Sequence, residues 1–391
     1  MNAQGITSGY AFSRNPIILS ENFPTSAFDK NGGRFTITMG GTDIYDGRFF
    51  PPLHVDISEI VDASVDFFPE PDVDNSMPVI EIEDAGSLAN RVVYAYFEYD
   101  SYEAEFEFIA IPGGVSRQNF KRLNTLGKDI FNTRFLNFKS NLFLTTRTAE
   151  WRLIIKESEL YPLYFIVDKP ISTFKIVESV AGTSLSFNHI GKGVYALDIE
   201  NLRYRFFSEN HVITNVFDLF IDSEHSCRII IEQSDLSKER YRLKFRNSLG
   251  VFEILELTGS LSINPDYSGS EDSVFQRYDS LTGSFYSERE RIARSQCISV
   301  ETGVKRPDEV RFLMDAIGSE EVYLLDVASF PIKVIPSIEE FAYMPRPQSP
   351  ERFTLKLKIA ESETNIMQDV IDGAESEKPQ IFSNHFTNQF N

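Results

Sequence analysis

The stretch from Tyr241 to Gly259 reads YRLKFRNSLGVFEILELTG, and it decides the fold class of this chain. Its first six residues alternate apolar with basic side chains, so one face carries Tyr241, Leu243 and Phe245 and the other carries Arg242, Lys244 and Arg246. A period of two is typical of an antiparallel β-strand with one face in water. The polar turn NSLG and the apolar run after it predict a second strand that folds back on the first as a hairpin.

The same alternation recurs along the chain, which predicts a protein built mainly of β-strands. It is found at residues 34–39, 92–99, 103–111, 202–206 and 353–359. In the segment 202–206, Leu202, Tyr204 and Phe206 alternate with two arginines, and we predict a strand there. In the segment 103–111, three glutamates share one face, which we expect to lie in water.

The segment after Arg306 predicts a helix. Pro307 suits the first turn, where its missing N–H costs nothing, and Asp308 and Glu309 favour the positive end of the helix. The apolar residues at spacings of three and four are Val310, Leu313, Met314 and Ile317. They form one stripe, which we expect to face a core, and Gly318 ends the helix.

The length of 391 residues favours two or three domains, since domains commonly hold about 100–200 residues each. We predict a mainly β fold of tandem antiparallel β-sandwich (Ig-like) domains, followed by a smaller α+β domain that contains the helix. The expected parts are an N-terminal β-sandwich domain with an inserted loop or helix (1–168), a second β-sandwich domain (170–260), the α+β domain (261–362) and an acidic extended tail (363–391). Asp168, Lys169 and Pro170 are expected to link the first two domains.

The charge balance argues against nucleic acid as a partner. Lys and Arg total 38 and Asp and Glu total 58, which gives a net charge of −20. A chain this acidic repels phosphate, and we expect no sequence-specific nucleic-acid binding. Residues 1–20 lack the basic and apolar regions of a signal peptide, and no run approaches about 18 apolar residues. We therefore expect synthesis in a cytoplasm and no membrane span.

No stretch carries a motif of known chemistry. Phosphate loops and nucleophile elbows are absent, and Cys227 and Cys297 form neither a disulfide framework nor a zinc spacing. The five histidines have no metal-ligand spacing, and Trp151 is expected in the core. The acidic loop 66–74 is an alternative cation site. We predict no catalytic, cofactor-binding or metal-binding residue and no cofactor.

Three stretches carry a resemblance to a known family. They are the hairpin sequence 241–259 quoted above, VYLLDVASFPIKVIPSIEEF at 322–341 and GYAFSRNPIIL at 9–19. They resemble tail-associated structural proteins of phages and prophages of Bacteroidetes. The resemblance implies β-sandwich domains that assemble as rings or sleeves in a tail tip, baseplate or connector, and it includes no catalytic motif.

The resemblance therefore implies a non-enzymatic structural subunit of a phage tail-like assembly. Such a subunit forms a homo-oligomer in the virion with copies of itself and other tail proteins. The net charge of −20 would also suit an acidic lumen that DNA crosses without sticking. No residue is carried over from the family. The basic strand face and the aromatic residues of the acidic tail indicate the candidate subunit contacts, which are Arg242, Lys244, Arg246, Phe382 and Phe386. Two alternatives stay open, namely a glycan-binding or adhesin-like β-sandwich surface protein and a carbohydrate-active enzyme with a carboxylate pair.

Overall fold

The computed structural model describes residues 2–22, 32–73, 77–128, 130–139, 142–147, 151–234, 237–266, 274–289, 295–328, 330–338 and 351–360. Over these ranges the protein is mainly β, which confirms the fold class expected from the alternating segments. The chain divides into two compact units. Unit 1 comprises 1–235, 245–255 and 307–319, and unit 2 comprises 236–244, 256–306 and 320–391. The predicted tail, 363–391, lies outside the described residues.

The first half of unit 1 consists of two sheets that share a core. Its elements are β1 (Asn2–Gln4), β2 (Tyr10–Phe12), β3 (Ile18–Glu21), β4 (Gly33–Met39), β5 (Thr42–Phe49), β6 (Leu53–Asp56), α1 (Ser58–Asp62), β7 (Val79–Glu83), α2 (Ala85–Ala89), β8 (Val92–Tyr99) and β9 (Tyr102–Ile111). One sheet has the order β1-β3-β6 and the other the order β2-β9-β8-β4-β5, where only β2 and β9 pair in parallel. Phe35 stacks on Phe97 in their core, with ring centroids 4.3 Å apart. On β9, Glu103, Glu105 and Glu107 face water as predicted.

The second half of unit 1 is built on two further sheets. Its elements are α3 (Arg117–Thr125), a π-helical turn (Phe131–Phe135), β10 (Arg152–Lys156), a short 3₁₀ turn (Glu157–Glu159), β11 (Leu163–Val167), β12 (Ile171–Glu178), β13 (Ser184–Ile190), β14 (Gly193–Leu197), α4 (Ile199–Asn210), β15 (Val216–Ile221) and β16 (Glu224–Glu232). One sheet has the order β10-β16-β15-β12-β13, with β10 parallel to β16, and the other has the order β11-β14-β7. The sheet β11-β14-β7 lies between two hydrophobic cores, because Phe165 of β11 belongs to one core and Tyr164 and Ile166 belong to the other.

The segment 202–206 is helical, so the strand predicted there is wrong. α4 begins after Asp198, whose carboxylate accepts a hydrogen bond from the backbone N–H of Asn201 at 3.0 Å. Leu202 and Phe206 are buried on one side of this helix. Because they are four residues apart, their spacing fits a helix face as well as a strand face. The alternation is too short to distinguish the two, and the cap favours the helix.

The connection predicted as a linker, Asp168 to Pro170, lies inside unit 1. β11 ends at Val167 and β12 begins at Ile171, and both residues belong to one hydrophobic core. Tyr10 also donates a hydrogen bond to Asp168 at 2.9 Å. The division of the structure therefore differs from the predicted boundary at 168–170, because both flanking strands are buried together.

Unit 2 is built on one seven-stranded sheet. From residue 240 onward the chain forms β17 (Arg240–Arg246), β18 (Phe252–Thr258), β19 (Leu261–Asp266), β20 (Val274–Asp279), β21 (Ser284–Arg289), β22 (Ser295–Lys305), α5 (Pro307–Ile317), β23 (Val322–Leu325), β24 (Ile332–Ser337) and β25 (Glu351–Ile359). Of these, α5, the end of β17 from Phe245 onward and β18 as far as Leu255 belong to unit 1. The sheet order is β18-β17-β23-β24-β25-β22-β19. Lys305 at the end of β22 donates a hydrogen bond to the carbonyl oxygen of Glu256 in β18 at 2.6 Å. The sheet is therefore curled, because β18 and β22 are separated by four strands in its order.

The alternating faces of the two best strand predictions are confirmed. In β17, Leu243 and Phe245 are buried, and in β25 Phe353, Leu355 and Leu357 are buried. The predicted turn is also present, since the backbone N–H of Asn247 donates to the carbonyl of Val251 at 2.8 Å.

The predicted helix is α5, but its buried face is rotated from the expected stripe. Val310 and Leu313 are buried as predicted, whereas Met314 is 44% exposed. Phe312 is buried instead, and its ring centroid lies 5.1 Å from that of Phe245. Burial of the aromatic ring of Phe312 thus sets which side of α5 faces the core, and Met314 is left exposed although its spacing fits the predicted stripe.

Candidate interaction surface

Unit 2 contains a two-stranded ribbon that joins no other sheet within the described residues. β20 and β21 pair antiparallel, with Val274 opposite Arg289 and Asp279 opposite Ser284. We call residues 274–289 the aromatic ribbon. Each of its strands is an edge strand, so that its outer backbone groups are open to another chain.

Large apolar side chains cover both faces of the aromatic ribbon. The exposed ones are Val274, Phe275, Tyr278, Leu281, Phe285 and Tyr286. The pairing register puts Val274, Tyr278 and Phe285 on one face and Phe275 and Tyr286 on the other. Leu281 at the tip is 96% exposed and Phe285 is 68% exposed.

The turn at the tip is held by Asp279. Its carboxylate accepts hydrogen bonds from the backbone N–H of Leu281 at 2.9 Å and from the hydroxyl of Thr282 at 2.8 Å. These bonds lower the pKa of Asp279 from its ordinary value. Gly283, with a φ of 65°, completes the turn in a conformation that glycine adopts without strain. The local sequence therefore fixes the turn at the tip of the ribbon.

Such a ribbon has little to stabilise it in water. A two-stranded hairpin is marginally stable alone, and Tyr278 and Phe285 contact each other across the strands at 5.1 Å between ring centroids. A contiguous exposed apolar patch marks an interaction site, and aromatic residues are enriched at the centres of interfaces. The ribbon can therefore bury its faces against a partner or extend a partner's sheet through its open edges.

The alternation that reveals the other strands does not reveal the ribbon, because its apolar residues fall on both faces. Val274 is adjacent to Phe275, and Phe285 is adjacent to Tyr286. These two doublets flank the turn sequence DSLTG at 279–283, which is the signal that could have found the hairpin. Adjacent apolar residues usually indicate a strand buried on both faces, and here both faces are exposed.

Two of the basic residues predicted as subunit contacts lie in unit 2. Arg242 donates two hydrogen bonds to the carboxylate of Asp326, at 2.6 and 2.7 Å. Lys244, two residues further on the same strand face, is partly buried. The remaining predicted contacts in the tail, Phe382 and Phe386, lie outside the described residues.

Arg246, the third basic residue of β17, belongs to unit 1. Its guanidinium lies 4.2 Å from the ring centroid of Phe67 and 4.1 Å from that of Phe252. It also donates a hydrogen bond to the carbonyl of Gly250 at 3.2 Å. Arg242 and Arg246 thus have intramolecular partners, and both help to hold the folded chain.

A buried carboxylate, Glu253, lies at the centre of a polar cluster in unit 1. It accepts hydrogen bonds from the hydroxyl of Thr145 and from Nδ2 of Asn247, each at 2.6 Å. Burial raises its pKa, in opposition to the nearby guanidinium of Arg147, whose Nε lies 3.6 Å from Oε1 of Glu253. Protein donors therefore surround this group.

A second carboxylate of unit 1, Asp315 of α5, lies close to the same segments. It accepts a hydrogen bond from the hydroxyl of Thr146 at 2.7 Å and from the backbone N–H of Ser248 at 3.2 Å, and burial raises its pKa. These bonds tie the segment 142–147 to the tip of the β17–β18 hairpin and to α5. We assign the cluster a structural role, since a glycosidase carboxylate pair must face a cleft that admits a sugar and Glu253 faces protein donors.

Trp151 is 39% exposed, so its predicted place in the core is wrong. It precedes β10, which begins at Arg152, and the core that buries Leu153 does not reach it. The guanidinium of Arg152 lies 4.3 Å from its ring centroid. The guanidinium of Arg152 therefore lies over the indole ring of Trp151, which the core leaves partly exposed.

Within the described ranges, no helix is long and apolar enough to cross a membrane. In the same residues, no group of three or more His, Cys, Asp or Glu side chains could hold a metal ion. Comparisons of the chain with protein-family models, with curated proteins and with solved structures find no match.

Proposed function

We propose that this chain is a non-enzymatic structural subunit of a homo-oligomeric assembly, and that the aromatic ribbon docks on a neighbouring copy. The ribbon supports this proposal because a monomer would leave apolar side chains on both of its faces in water. Identical subunits that close into a symmetric particle each need one self-complementary or matching patch, and one ribbon per chain supplies it.

We infer from the three stretches that resemble phage and prophage proteins that the assembly is a phage tail-like particle. The subunit would form a ring or sleeve in a tail tip, baseplate or connector of the virion, with other tail proteins as further partners. The paired sheets of unit 1 would be its Ig-like sandwiches, and Phe382 and Phe386 would add contacts from the tail. A net charge of −20 suits a lumen that DNA crosses without sticking, and a basic lumen in the assembled particle would contradict that part.

Mass measurement of the purified protein by light scattering tests the oligomer. We expect the unmodified chain to form a particle of several subunits, and we expect the triple variant Tyr278→Ser, Leu281→Ser, Phe285→Ser to be monomeric. The variant removes apolar surface from the ribbon and leaves the cores of both units untouched. Circular dichroism of the variant should therefore match that of the unmodified chain.

A matched control removes apolar surface elsewhere. Val180, Ile213 and Phe330 are 77%, 75% and 66% exposed, and their replacement by Ser should leave the particle mass unchanged. An unmodified chain that stays monomeric at high concentration contradicts the proposal. So does a ribbon variant that keeps the full particle mass.

A further inference from the structure

A groove of ≈ 760 Å³ runs beside α4 in unit 1. The outer side of α4 forms one wall, from Glu200 in its first turn to Glu209 in its last. The opposite wall consists of Val73 and the segment 160–162. The volume falls within the range of about 300–1,000 Å³ that is typical of ligand sites.

The wall opposite the helix is mainly apolar, and an exposed aromatic ring lines the helix side. Leu160 and Pro162 contribute aliphatic surface, and Tyr204 of α4 is 69% exposed. Burial raises the pKa of Tyr161, and its hydroxyl donates to Glu70 at 3.3 Å, so this second ring is neutral. Tyrosine rings bind aliphatic chains on their faces and also attract cations there.

Carboxylates dominate the charge of the groove. Asp198, Glu200 and Glu209 line it together with a single guanidinium, that of Arg205, which donates a hydrogen bond to Sδ of Met77 at 3.3 Å. The carboxylates of Glu200 and Glu209 form no hydrogen bond or ion pair with any residue that the structure describes. The groove thus presents two carboxylates without a cationic side chain as partner among the described residues, and the helix macrodipole favours only that of Glu200, in the first turn.

Glu209 stands at a position that helix stability disfavours. α4 has no basic residue in its last turn, and the helix macrodipole repels a negative charge there. Tyr204 and Phe207 on the same helix place further apolar surface in water, with Phe207 51% exposed. A helix that served only to cover a core would carry cations near its end and fewer exposed aromatic residues. The outer side of α4 therefore carries residues that do not favour the stability of the helix, which is typical of a binding surface.

We propose that this groove binds a basic, extended peptide segment of a partner protein. Basic side chains of the peptide pair with Glu200 and Glu209, and apolar side chains between them lie against Tyr204. Nine residues on α4 correspond to about 13.5 Å along the helix axis and to half a turn around it, so Glu200 and Glu209 lie at opposite margins of the helix wall. About four residues of extended chain cover the axial distance, and the long side chains of the two basic residues cover the sideways one. The ligand therefore carries two basic residues about four positions apart with apolar residues between them. The acidic tail of this chain, 363–391, has the wrong charge to fill the groove.

Fluorescence anisotropy with the full chain tests this site, independently of the oligomer. The probe is the labelled, end-blocked peptide KLSLK, and its acidic counterpart is ELSLE. We expect KLSLK to bind and ELSLE not to bind, and the affinity for KLSLK should fall as the ionic strength rises from about 0.05 M to about 0.5 M. The double variant Glu200→Gln, Glu209→Gln should weaken binding about tenfold or more, and Tyr204→Ala should weaken it as well.

The control variant is Glu59→Gln, Glu107→Gln, which changes the net charge equally at two exposed positions outside the groove. It should leave the affinity within about twofold, because distant exposed charges are screened. Equal binding of KLSLK and ELSLE would overturn the proposal, as would equal losses in the groove and control variants. Binding of a neutral oligosaccharide such as cellohexaose that depends on Tyr204, without binding of KLSLK, would overturn it in favour of a glycan site.

Discussion

Glu178 shows how one carboxylate in this chain can hold a turn. It lies at the end of β12 and is fully buried, and it accepts hydrogen bonds from the backbone N–H groups of Val180 at 2.7 Å, of Ala181 and of Thr183 at 3.3 Å. Burial alone would raise the pKa of Glu178, but the hydrogen bonds to its charged form hold the pKa below the ordinary value of 4.5. The charged carboxylate therefore stabilises the turn between β12 and β13.

Replacing Glu178 by Gln tests this role. Gln keeps the shape but lacks one of the acceptor oxygens, so we expect the variant to be less stable by about 1–2 kcal/mol at pH 7, or roughly 2–6 °C in Tm. Because the folded-state pKa is lowered, this stabilisation is present above pH 4.5 and is lost as the pH falls through the folded-state pKa. Calorimetry of both proteins over a pH series should show the two Tm values converge at low pH. Convergence at high pH would contradict the assignment, and Glu107→Gln on the exposed face of β9 should show no difference at any pH.

The sequence predicts the burial of single residues where a strand has a clear inner face. Leu243 and Phe245 are buried in β17 as their alternation requires. The role of Arg246 could not be predicted, since the ring of Phe67 that it covers is remote in the chain. Alternation assigns a residue to a face, and tertiary packing alone decides what that face meets.

At the scale of elements, the curled sheet of unit 2 depends on a close approach at one glycine. Gly303 has a φ of 70° and lies where the pairing of β22 with β25 shifts register. A Cβ atom there would lie 2.0 Å from Oγ1 of Thr258 and 2.8 Å from its carbonyl oxygen. The bulge lets β22 approach the end of β18, which a side chain at this position would prevent.

Gly303→Ala is therefore expected to destabilise unit 2 by about 2–5 kcal/mol, through steric overlap and the strained backbone together. The matched control is Gly283→Ala in the turn of the aromatic ribbon, where φ is 65° but no atom lies within 4 Å of the added Cβ. The control should lose only about 1–2 kcal/mol, because the substitution strains the backbone of one local turn and causes no steric overlap. Urea unfolding monitored by far-UV circular dichroism compares the two, because the single tryptophan, Trp151, lies in unit 1 and does not report on unit 2. Equal losses would show that the approach of β22 to β18 is not needed.

Short alternating segments are the elements that sequence reasoning predicts least well. The segment 202–206 alternates as β17 does, yet Asp198 caps it as a helix and Leu202 and Phe206 enter the core one turn apart. The aromatic ribbon shows the opposite error, because it forms strands that periodicity does not predict, and neither of its faces is buried. Periodicity predicts an element when one of its faces is buried, so an element that awaits a partner on both faces lacks that signal.

At the scale of the whole molecule, the predicted order of contiguous domains differs from the division that the structure shows. Unit 1 collects the hairpin tip 245–255 and α5 with the first 235 residues, and unit 2 takes the strands on either side of them. Long-range pairs such as Thr146 with Asp315, whose oxygens lie 2.7 Å apart, leave no local signal in the sequence. Composition could bound the number of compact units but could not reveal that they are interleaved along the chain.

If the aromatic ribbon joins copies of this molecule, its thermal stability must depend on protein concentration. Association stabilises the folded chain by mass action, so a tenfold rise in concentration adds up to about 1.4 kcal/mol per contact, or roughly 2–4 °C in Tm. We expect this slope for the unmodified chain and for the control Val180→Ser, Ile213→Ser, Phe330→Ser. The variant Tyr278→Ser, Leu281→Ser, Phe285→Ser should have a Tm that is independent of concentration, since it has lost the contact and kept the fold. Calorimetry at three concentrations measures all three slopes, and a ribbon variant with the slope of the unmodified chain would move the subunit contact to another surface.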